Sequence, residues 1–198
     1  YNMEHRVVDK PTVSKLKDGS LQISLTVESK GKEGCKQNYT NRDRNPQDTY
    51  TFNTDKQPLG KDDLKFATNH IYTIYKDGSV ELQSAISSNR PSVVLPRIGY
   101  AMKLPKTYTT FDYYGRGPVN NYNDRKTSQF IEHHRGIVGK QDIILPKPQS
   151  MGNREEVRWC ALSENGKPAV VFVADDNMSV SALPWSAQQL TLTAHANE

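Results

Sequence analysis

Apolar and polar residues alternate along several short segments of the chain. The clearest alternation runs from Leu21 to Val27, and a period of two residues is typical of a strand with one buried face. A Lys-Asp-Gly-Ser sequence at 17–20 precedes this segment, and the same sequence recurs at 76–79. Asp-Gly pairs tolerate the positive φ angles that tight hairpin turns require. The pattern therefore predicts two hairpins, the second joining strands at Ile71–Tyr75 and Val80–Ile86.

Further segments have a similar β-rich pattern, and none shows a sustained apolar stripe with the 3.6-residue period of a helix. A single helical turn is predicted at Ser186–Leu190, where Ser186 can cap the turn. Together with 12 Gly and 11 Pro, the pattern predicts an all-β fold, a large antiparallel β-sandwich with very little helix, in one domain over residues 1–198. The further strands are predicted at Arg97–Leu104, Tyr108–Tyr114, Glu156–Leu162, Ala169–Ala174 and Met178–Leu183.

The segment from about residue 30 to residue 66 is the polar exception. It is rich in Asn, Asp, Lys, Gln and Pro, and Tyr39, Tyr50 and Phe52 are its obvious apolar anchors. This composition predicts a long loop or a loosely paired hairpin. Long loops in compact domains are usually functional or mobile. We favour a mobile or neighbour-facing segment over a ligand-binding one.

Composition and charge narrow the classes of function. The 198 residues are 35% hydrophobic, and no apolar run approaches the roughly 20 residues that span a bilayer. The net charge of +4 is spread along the chain instead of being gathered into a basic block. We therefore expect a soluble protein without a membrane or nucleic-acid role. Cys35 and Cys160 lie far apart and outside any zinc or redox pattern, which favours two buried or partly buried thiols.

The two ends of the sequence suggest a fragment. The first residue is Tyr1, no signal segment precedes the first β-rich stretch, and the residues from Leu190 onward continue an apolar-polar pattern. We expect a piece excised from a longer protein, with more polypeptide after Glu198.

Catalytic and metal motifs are not found in the sequence. Acid-base cleavage of a glycosidic bond needs two carboxyl groups roughly 5 to 9.5 Å apart. Adjacent acids on a strand point to opposite faces, so the acidic pairs are interpreted as solvated surface charge. His133 and His134 lack the HExxH spacing, and as neighbours on a strand they would diverge. We therefore assign no catalytic and no metal residue; the acidic pairs are Asp62-Asp63, Glu155-Glu156 and Asp175-Asp176.

One stretch, Tyr113–Arg125, combines aromatic, glycine and planar polar residues. Its pattern predicts a strand that ends in a Gly-x-Gly-Pro turn, after which polar side chains can bond the backbone or one another, including an Arg125–Asp124 pair. Two interpretations stay open: a loop locked by such a network, which we favour on the residues alone, or a sugar site. The candidates for either role are Tyr114, Arg116, Asn121, Tyr122, Asp124, Arg125 and, downstream, Arg154.

The same stretch resembles the signature of the C-terminal domain of glycoside hydrolase family 2 β-galactosidases, Tyr-Tyr-Gly-Arg-Gly-Pro-x-x-Asn-Tyr-x-Asp-Arg. Further matches occur in the same order and at similar spacing, and they cover about half the chain directly. Val119-Asn120 and Ile144-Leu145-Pro146 depart from the family pattern. The further matches are Leu95-Pro96-Arg97-Ile98-Gly99, Pro148-Gln149, Gly152-Asn153-Arg154, Val157-Arg158-Trp159, Ser181-Ala182-Leu183 and Trp185-Ser186 with Leu190.

The resemblance implies a "supersandwich" domain similar in fold to galactose mutarotases, truncated at both ends. It also implies that the catalytic Glu residues and the ligands for Mg²⁺ and Na⁺ lie in other domains of the parent, chiefly a preceding TIM barrel, so we expect no cofactor here. The family's Arg-Ala-Pro-Thr-Asp-Asn-Asp loop would precede this chain, and its Asp-Asp-Ser-Trp segment would follow it.

The leading hypothesis is an accessory domain of a β-galactosidase that hydrolyses terminal non-reducing β-D-galactose, with this chain as a non-catalytic scaffold next to the barrel. The alternative is a carbohydrate-binding module that retains affinity for galactosides; an aldose epimerase would need a Glu base and a His acid on one ring, and no such pair can be assigned. The expected partners are the other domains of the parent, its galactoside substrate and, through an unpaired sheet edge, a homo-oligomer. A bacterial cytoplasm or periplasm is expected.

Overall fold

The chain is all-β. A computed structural model describes residues 3–31, 64–91, 95, 97–140, 151–164, 166–186 and 189. The chain divides into two compact units, Tyr1–Ile98 and Gly99–Glu198, and each unit holds one antiparallel sheet. The predicted all-β antiparallel class with very little helix is confirmed, whereas the single domain and the supersandwich stay predictions. No helix among the described residues is long and apolar enough to cross a membrane.

The first unit contains a five-stranded sheet. Strand β3 is central, because β4 pairs along one of its edges while β1 and β2 share the other edge end to end. Strand β5 completes the sheet beside β4. The strands are β1 Met3–Val7, β2 Thr12–Lys15, β3 Leu21–Gly31, β4 Lys65–Ile74 and β5 Val80–Ser88.

Both predicted hairpins are present in this sheet. Gly19 and Gly78 have φ angles of 85° and 87°, the left-handed region that glycine adopts without steric cost. At the first turn, the backbone N–H and the hydroxyl of Ser20 donate to Asp18 Oδ1, at 2.9 and 2.7 Å. The second turn repeats this arrangement. These hydrogen bonds lower the pKa of Asp18 below its ordinary value, since they stabilise the charged carboxylate.

The second unit contains a four-stranded sheet in the order β7-β6-β8-β9. Its core lies on one face, where Phe111 and Tyr113 of β6 stack with ring centroids 4.9 Å apart and pack with Val157 and Cys160 of β8. Burial raises the pKa of the Cys160 thiol to about 11. The strands are β6 Thr110–Gly117, β7 Phe130–Ile137, β8 Arg154–Glu164 and β9 Lys167–Val180.

Most of the predicted strands overlap observed ones, with two corrections. The predicted strand at Arg97–Leu104 is wrong, because these residues pair with no other strand in the described part of the chain and Ile98, Tyr100 and Met102 are exposed. Alternation gives a strand only where a partner edge is available. The two segments predicted after residue 168 form the single strand β9. Register shifts between β8 and β9 accommodate the polar residues between those segments.

Some observed strands were not predicted, and some predictions concern residues that the structure does not describe. Strands β1, β2 and β7 were not predicted, because their residues are mostly polar or exposed. The polar segment predicted at about 30–66 lies outside the described residues except at its ends, which belong to β3 and β4. The predicted helical turn is described only at Ser186 and Gln189. There the Ser186 hydroxyl accepts from the Gln189 N–H at 3.2 Å and the Gln189 side chain accepts from the Ser186 N–H at 2.9 Å, the reciprocal pair of a capping box.

Candidate functional site

The Tyr113–Arg125 motif begins at the end of β6, where successive side chains alternate between the core side and the opposite face of the sheet. Tyr113, Gly115 and Gly117 point to the core side, whereas Tyr114 is 40% exposed on the other face. A Cβ on Gly115 would lie 2.8 Å from the Val157 Cα, and one on Gly117 would lie 2.8 Å from the His134 Cδ2. Both positions therefore favour glycine on steric grounds, because the β8 backbone lies too close to Gly115 for a side chain and the side chains of Tyr113 and His134 lie too close to Gly117.

Arg154 begins β8 and lies inside the protein, with 1% of its surface exposed. Its Nε donates to the Tyr113 hydroxyl at 3.0 Å, and that hydroxyl donates in turn to the Pro118 carbonyl at 3.3 Å. Its Nη1 donates to the Asn153 carbonyl at 3.2 Å, and its guanidinium lies 5.8 Å from the centroid of the Tyr113 ring. Arg154 thus ties the start of β8 to β6 and to the cis peptide turn at Gly117-Pro118.

Asn121 is fully buried and joins three parts of the motif. Its Nδ2 donates to the carbonyls of Arg116 and Val119 and to Gln129 Oε1, at 2.9, 3.0 and 3.1 Å. Its Oδ1 accepts from the Glu155 N–H at 2.8 Å. The backbone N–H of Asn121 also donates to the Asn153 carbonyl, at 2.8 Å. Each side-chain atom of the amide therefore bonds within the chain.

Arg116 forms an ion pair with Glu156, across strands β6 and β8. Its Nε donates to Glu156 Oε2 at 2.7 Å, its Nη2 contacts the same oxygen, and its Nη1 donates to the Gln129 carbonyl at 2.6 Å. Lys126 Nζ lies 3.5 Å from the other carboxylate oxygen. The hydrogen bond from Arg116, the largest cause, lowers the pKa of Glu156 below its ordinary value.

Glu156 also has an unusual backbone. Its φ of 54° is in the left-handed region, which costs a non-glycine residue about 1 to 2 kcal/mol. The register of β8 against β9 shifts at this point, between Arg154 and Val157, as in a β-bulge. The bulge directs the Glu156 carboxylate toward Arg116, and the Glu156 carbonyl accepts from Arg158 Nη1.

The turn after Asn121 has its own pairing. The backbones of Tyr122 and Arg125 exchange hydrogen bonds of 2.8 and 3.2 Å, and the Arg125 guanidinium lies 5.2 Å from the centroid of the Tyr122 ring. Arg125 and Asp124, which the sequence allowed to pair, form no ion pair in the part of the chain that the structure describes. Asp124 is exposed.

The seven candidate residues therefore divide into three groups. Arg116, Asn121 and Arg154 belong to a network whose bonds lie within the chain, and Tyr122 and Arg125 hold the turn. Tyr114 and Asp124 are exposed, and of these two Tyr114 lies on the open face of the sheet. A ligand role for any of the seven stays a prediction.

Sequence reasoning missed Glu156, which was interpreted with Glu155 as solvated surface charge. Glu155 also bonds within the chain, because its carboxylate accepts from Asn153 Nδ2 at 2.6 Å and from the Ser179 hydroxyl at 2.9 Å. The solvated interpretation is wrong for this pair, whereas Asp175 and Asp176 are exposed as expected. The pair Asp62-Asp63 lies outside the described residues. Gly115 was the available signal, since the missing side chain there lets β8 lie close to β6, within reach of Arg116.

A second cluster lies on the exposed side of the same sheet and was not predicted. Asp112 is bonded by His133 Nε2, and its Oδ2 lies 3.7 Å from Arg135 Nε. The His133 and Trp159 rings have centroids 5.6 Å apart. His134 points to the other side and packs against Tyr113 at 5.1 Å, so the two histidines diverge as expected for strand neighbours. No group of three or more His, Cys, Asp or Glu suited to a metal ion occurs among the described residues.

Comparison with a family model and comparison with curated proteins point to the same family. A family model described as "Beta galactosidase small chain" matches residues 9–198. Curated relatives named "Beta-galactosidase" include those of Priestia megaterium, 29% identical over 124 residues, and Lactobacillus delbrueckii subsp. bulgaricus, 33% identical over 136 residues. These alignments cover 63% and 68% of this chain but 12% and 13% of those proteins. The chain therefore spans about an eighth of the length of these relatives.

Proposed function

The chain belongs to the beta galactosidase small chain family, and we propose that it acts as an accessory domain of a β-galactosidase that hydrolyses terminal non-reducing β-D-galactose. In this proposal the chain is a scaffold beside the catalytic domain and supplies neither of the catalytic carboxyl groups. Its partners are the other domains of the parent protein, and the galactoside is bound by the whole enzyme.

The observation that carries the proposal is that the polar side chains of the motif and its partners form their hydrogen bonds within the chain. The buried amide of Asn121 and the buried guanidinium of Arg154 bond within the chain, and the Glu156 carboxylate is held by Arg116. A catalytic acid must be kept protonated near the working pH, whereas the lowered pKa of Glu156 keeps that carboxyl charged. Such groups stabilise a loop and the pairing of β6 with β8, as expected of a scaffold domain.

The proposal is tested by comparing three proteins in a chromogenic β-galactoside assay: the 198-residue chain, the parent enzyme, and the parent lacking these residues. We expect turnover only from the intact parent, because the scaffold holds the catalytic domain without replacing it. Turnover by the isolated chain above a buffer control would refute the non-catalytic role. Full activity of the shortened parent would refute the accessory role.

A second candidate function is a carbohydrate-binding module, and the half-exposed Tyr114 beside the Asp112 cluster favours it. Aromatic rings next to planar polar groups suit a sugar, because its C–H face can lie on a ring while its hydroxyls bond at the rim. This function is compatible with the accessory role, since a scaffold face can also hold part of a substrate.

We also propose that sheet edges mediate association between copies of this chain. In the described residues, β5 and β9 each pair along one side. An unpaired edge offers N–H and C=O groups that a second strand can bond. Sedimentation at increasing concentration should show dimers or larger species, and a strictly monomeric profile would contradict this proposal.

A further inference from the structure

The open face of the second sheet carries a row of three rings on β7, β6 and β8, and Val173 continues this row onto β9. Tyr114 of β6 pairs in register with His133 of β7 and with Trp159 of β8, and Trp159 pairs with Val173 of β9. Residues directly paired across strands share a face, with Cβ atoms about 4.5 to 5.5 Å apart. Because Phe111 and Tyr113 point to the core, this row lies on the opposite face.

A charged row lies beside the aromatic one. Asp112 pairs in register with Arg135, two residues along from Tyr114 and His133. The Asp112 side chain is 16% exposed, whereas those of His133 and Arg135 are 56% and 54% exposed. A carboxylate offers about four lone-pair sites; His133 engages one of them, and Arg135 lies 3.7 Å away as an ion-pair partner. The carboxylate is thereby held in place at the edge of the rings with acceptor capacity left.

The mixture of groups indicates the chemistry of the ligand. Charged residues are depleted in the cores of protein interfaces, yet here Asp112 and Arg135 lie on the same face as Tyr114, two residues along its strand pair. The polar His133 ring lies with its centroid 5.6 Å from that of Trp159. A pyranose ring matches this surface, because it presents an apolar C–H face together with hydroxyls that both donate and accept hydrogen bonds. Asp112 would accept from a hydroxyl, and Arg135 would donate to one.

We propose that this face, defined by Asp112, Tyr114, His133, Arg135 and Trp159, binds a pyranose unit of a galactoside. The choice of galactose among pyranoses rests on the proposed function; the site itself rests on the geometry. A single ring on an open face forms few contacts, so binding in the millimolar range is expected, which corresponds to about 4 kcal/mol.

The test is an NMR titration of the ¹⁵N-labelled 198-residue chain with methyl β-D-galactopyranoside, with the glucoside and glycerol as comparison solutes. The indole N–H of Trp159 is a direct reporter, and that of Trp185, the second of the two tryptophans, is an internal reference. We expect a saturable shift at Trp159 with the galactoside and none with glycerol. Tyr114→Ala and Asp112→Asn should each raise the Kd at least about tenfold, the loss of one good contact.

Phe130→Ala is the matched control, since Phe130 is an exposed aromatic of the same sheet whose partner Gly117 faces the core side. It should leave the Kd unchanged. No saturable shift at tens of millimolar galactoside would overturn the site. Shifts of the Trp159 indole that follow protein concentration without sugar would also overturn it, because this face, and not only a sheet edge, would then be an interface between copies.

Equal affinity for glucoside and galactoside would keep the pyranose site and overturn its assignment to galactose. The accessory role is tested separately by the turnover of the shortened parent, so the two failures are distinguishable.

Discussion

Replacement of Asn121 tests whether the buried amide organises the motif. Asn121→Ala removes four side-chain hydrogen bonds of 2.8 to 3.1 Å. The amide NH2 shares two hydrogens among its three acceptors, so these contacts count as about three bonds. At about 1 kcal/mol net for each, with about 1 kcal/mol more for the stranded Glu155 N–H, the loss is about 4 kcal/mol. Asn121→Asp keeps an acceptor for that N–H but turns a carboxylate oxygen toward three acceptors, so it should be at least as damaging at neutral pH.

The measurement is urea unfolding followed by tryptophan fluorescence. Both tryptophans, Trp159 and Trp185, lie in the second unit, so the signal reports on the unit that contains Asn121. With a slope of about 2 kcal/mol per molar urea, the midpoint should fall by about 2 M.

The control is Asn123→Ala, because Asn123 is exposed in the same turn and should change stability by less than about 0.5 kcal/mol. A loss in Asn121→Ala no larger than in this control, or an Asn121→Asp variant as stable as the wild type, would refute the reasoning.

The remaining predictions concern one ion pair, one glycine and one thiol. Because the pKa of Glu156 is lowered, its pairing with Arg116 stabilises the fold above the unfolded-state pKa of about 4.3, and this contribution is lost as pH falls through the folded-state pKa. The stability difference between wild type and Glu156→Gln should therefore be largest near neutral pH and vanish in acid. A constant difference in urea titrations across pH would contradict the pairing. Gly115→Ala should lower the free energy of unfolding by about 1 to 3 kcal/mol, because the added Cβ would meet the backbone of β8. Gly99→Ala is the control, since the space around Gly99 is open, and equal thermal stability of the two variants would count against the close approach. Cys160, whose burial raises its pKa to about 11, should resist a thiol reagent at pH 8 in a background without the second cysteine and react after denaturation, and rapid labelling of the native chain would show that the thiol is accessible.

Only part of the candidate site could be predicted from the amino-acid sequence. The motif from Tyr113 to Arg125 was located by its composition, but its partners were not. Glu156 follows Arg116 by 40 residues, and an adjacent pair of acids at 155 and 156 looks like solvated charge in any sequence. The bulge that turns Glu156 toward Arg116 depends on the register between β8 and β9, which no local pattern specifies.

The sequence by itself determined the local features: the two Asp-Gly hairpins, the period-2 strands and the family signature. These depend on the φ and ψ preferences and the polarity of a few consecutive residues, so they are encoded within short windows. The tertiary structure alone decided that Asn121 and Arg154 are buried, that Arg97–Leu104 has no partner strand among the described residues, and that Tyr114, His133 and Trp159 form one row. The physical reason is that strand pairing and burial bring together residues far apart along the chain, and one step of register moves a side chain to the other face.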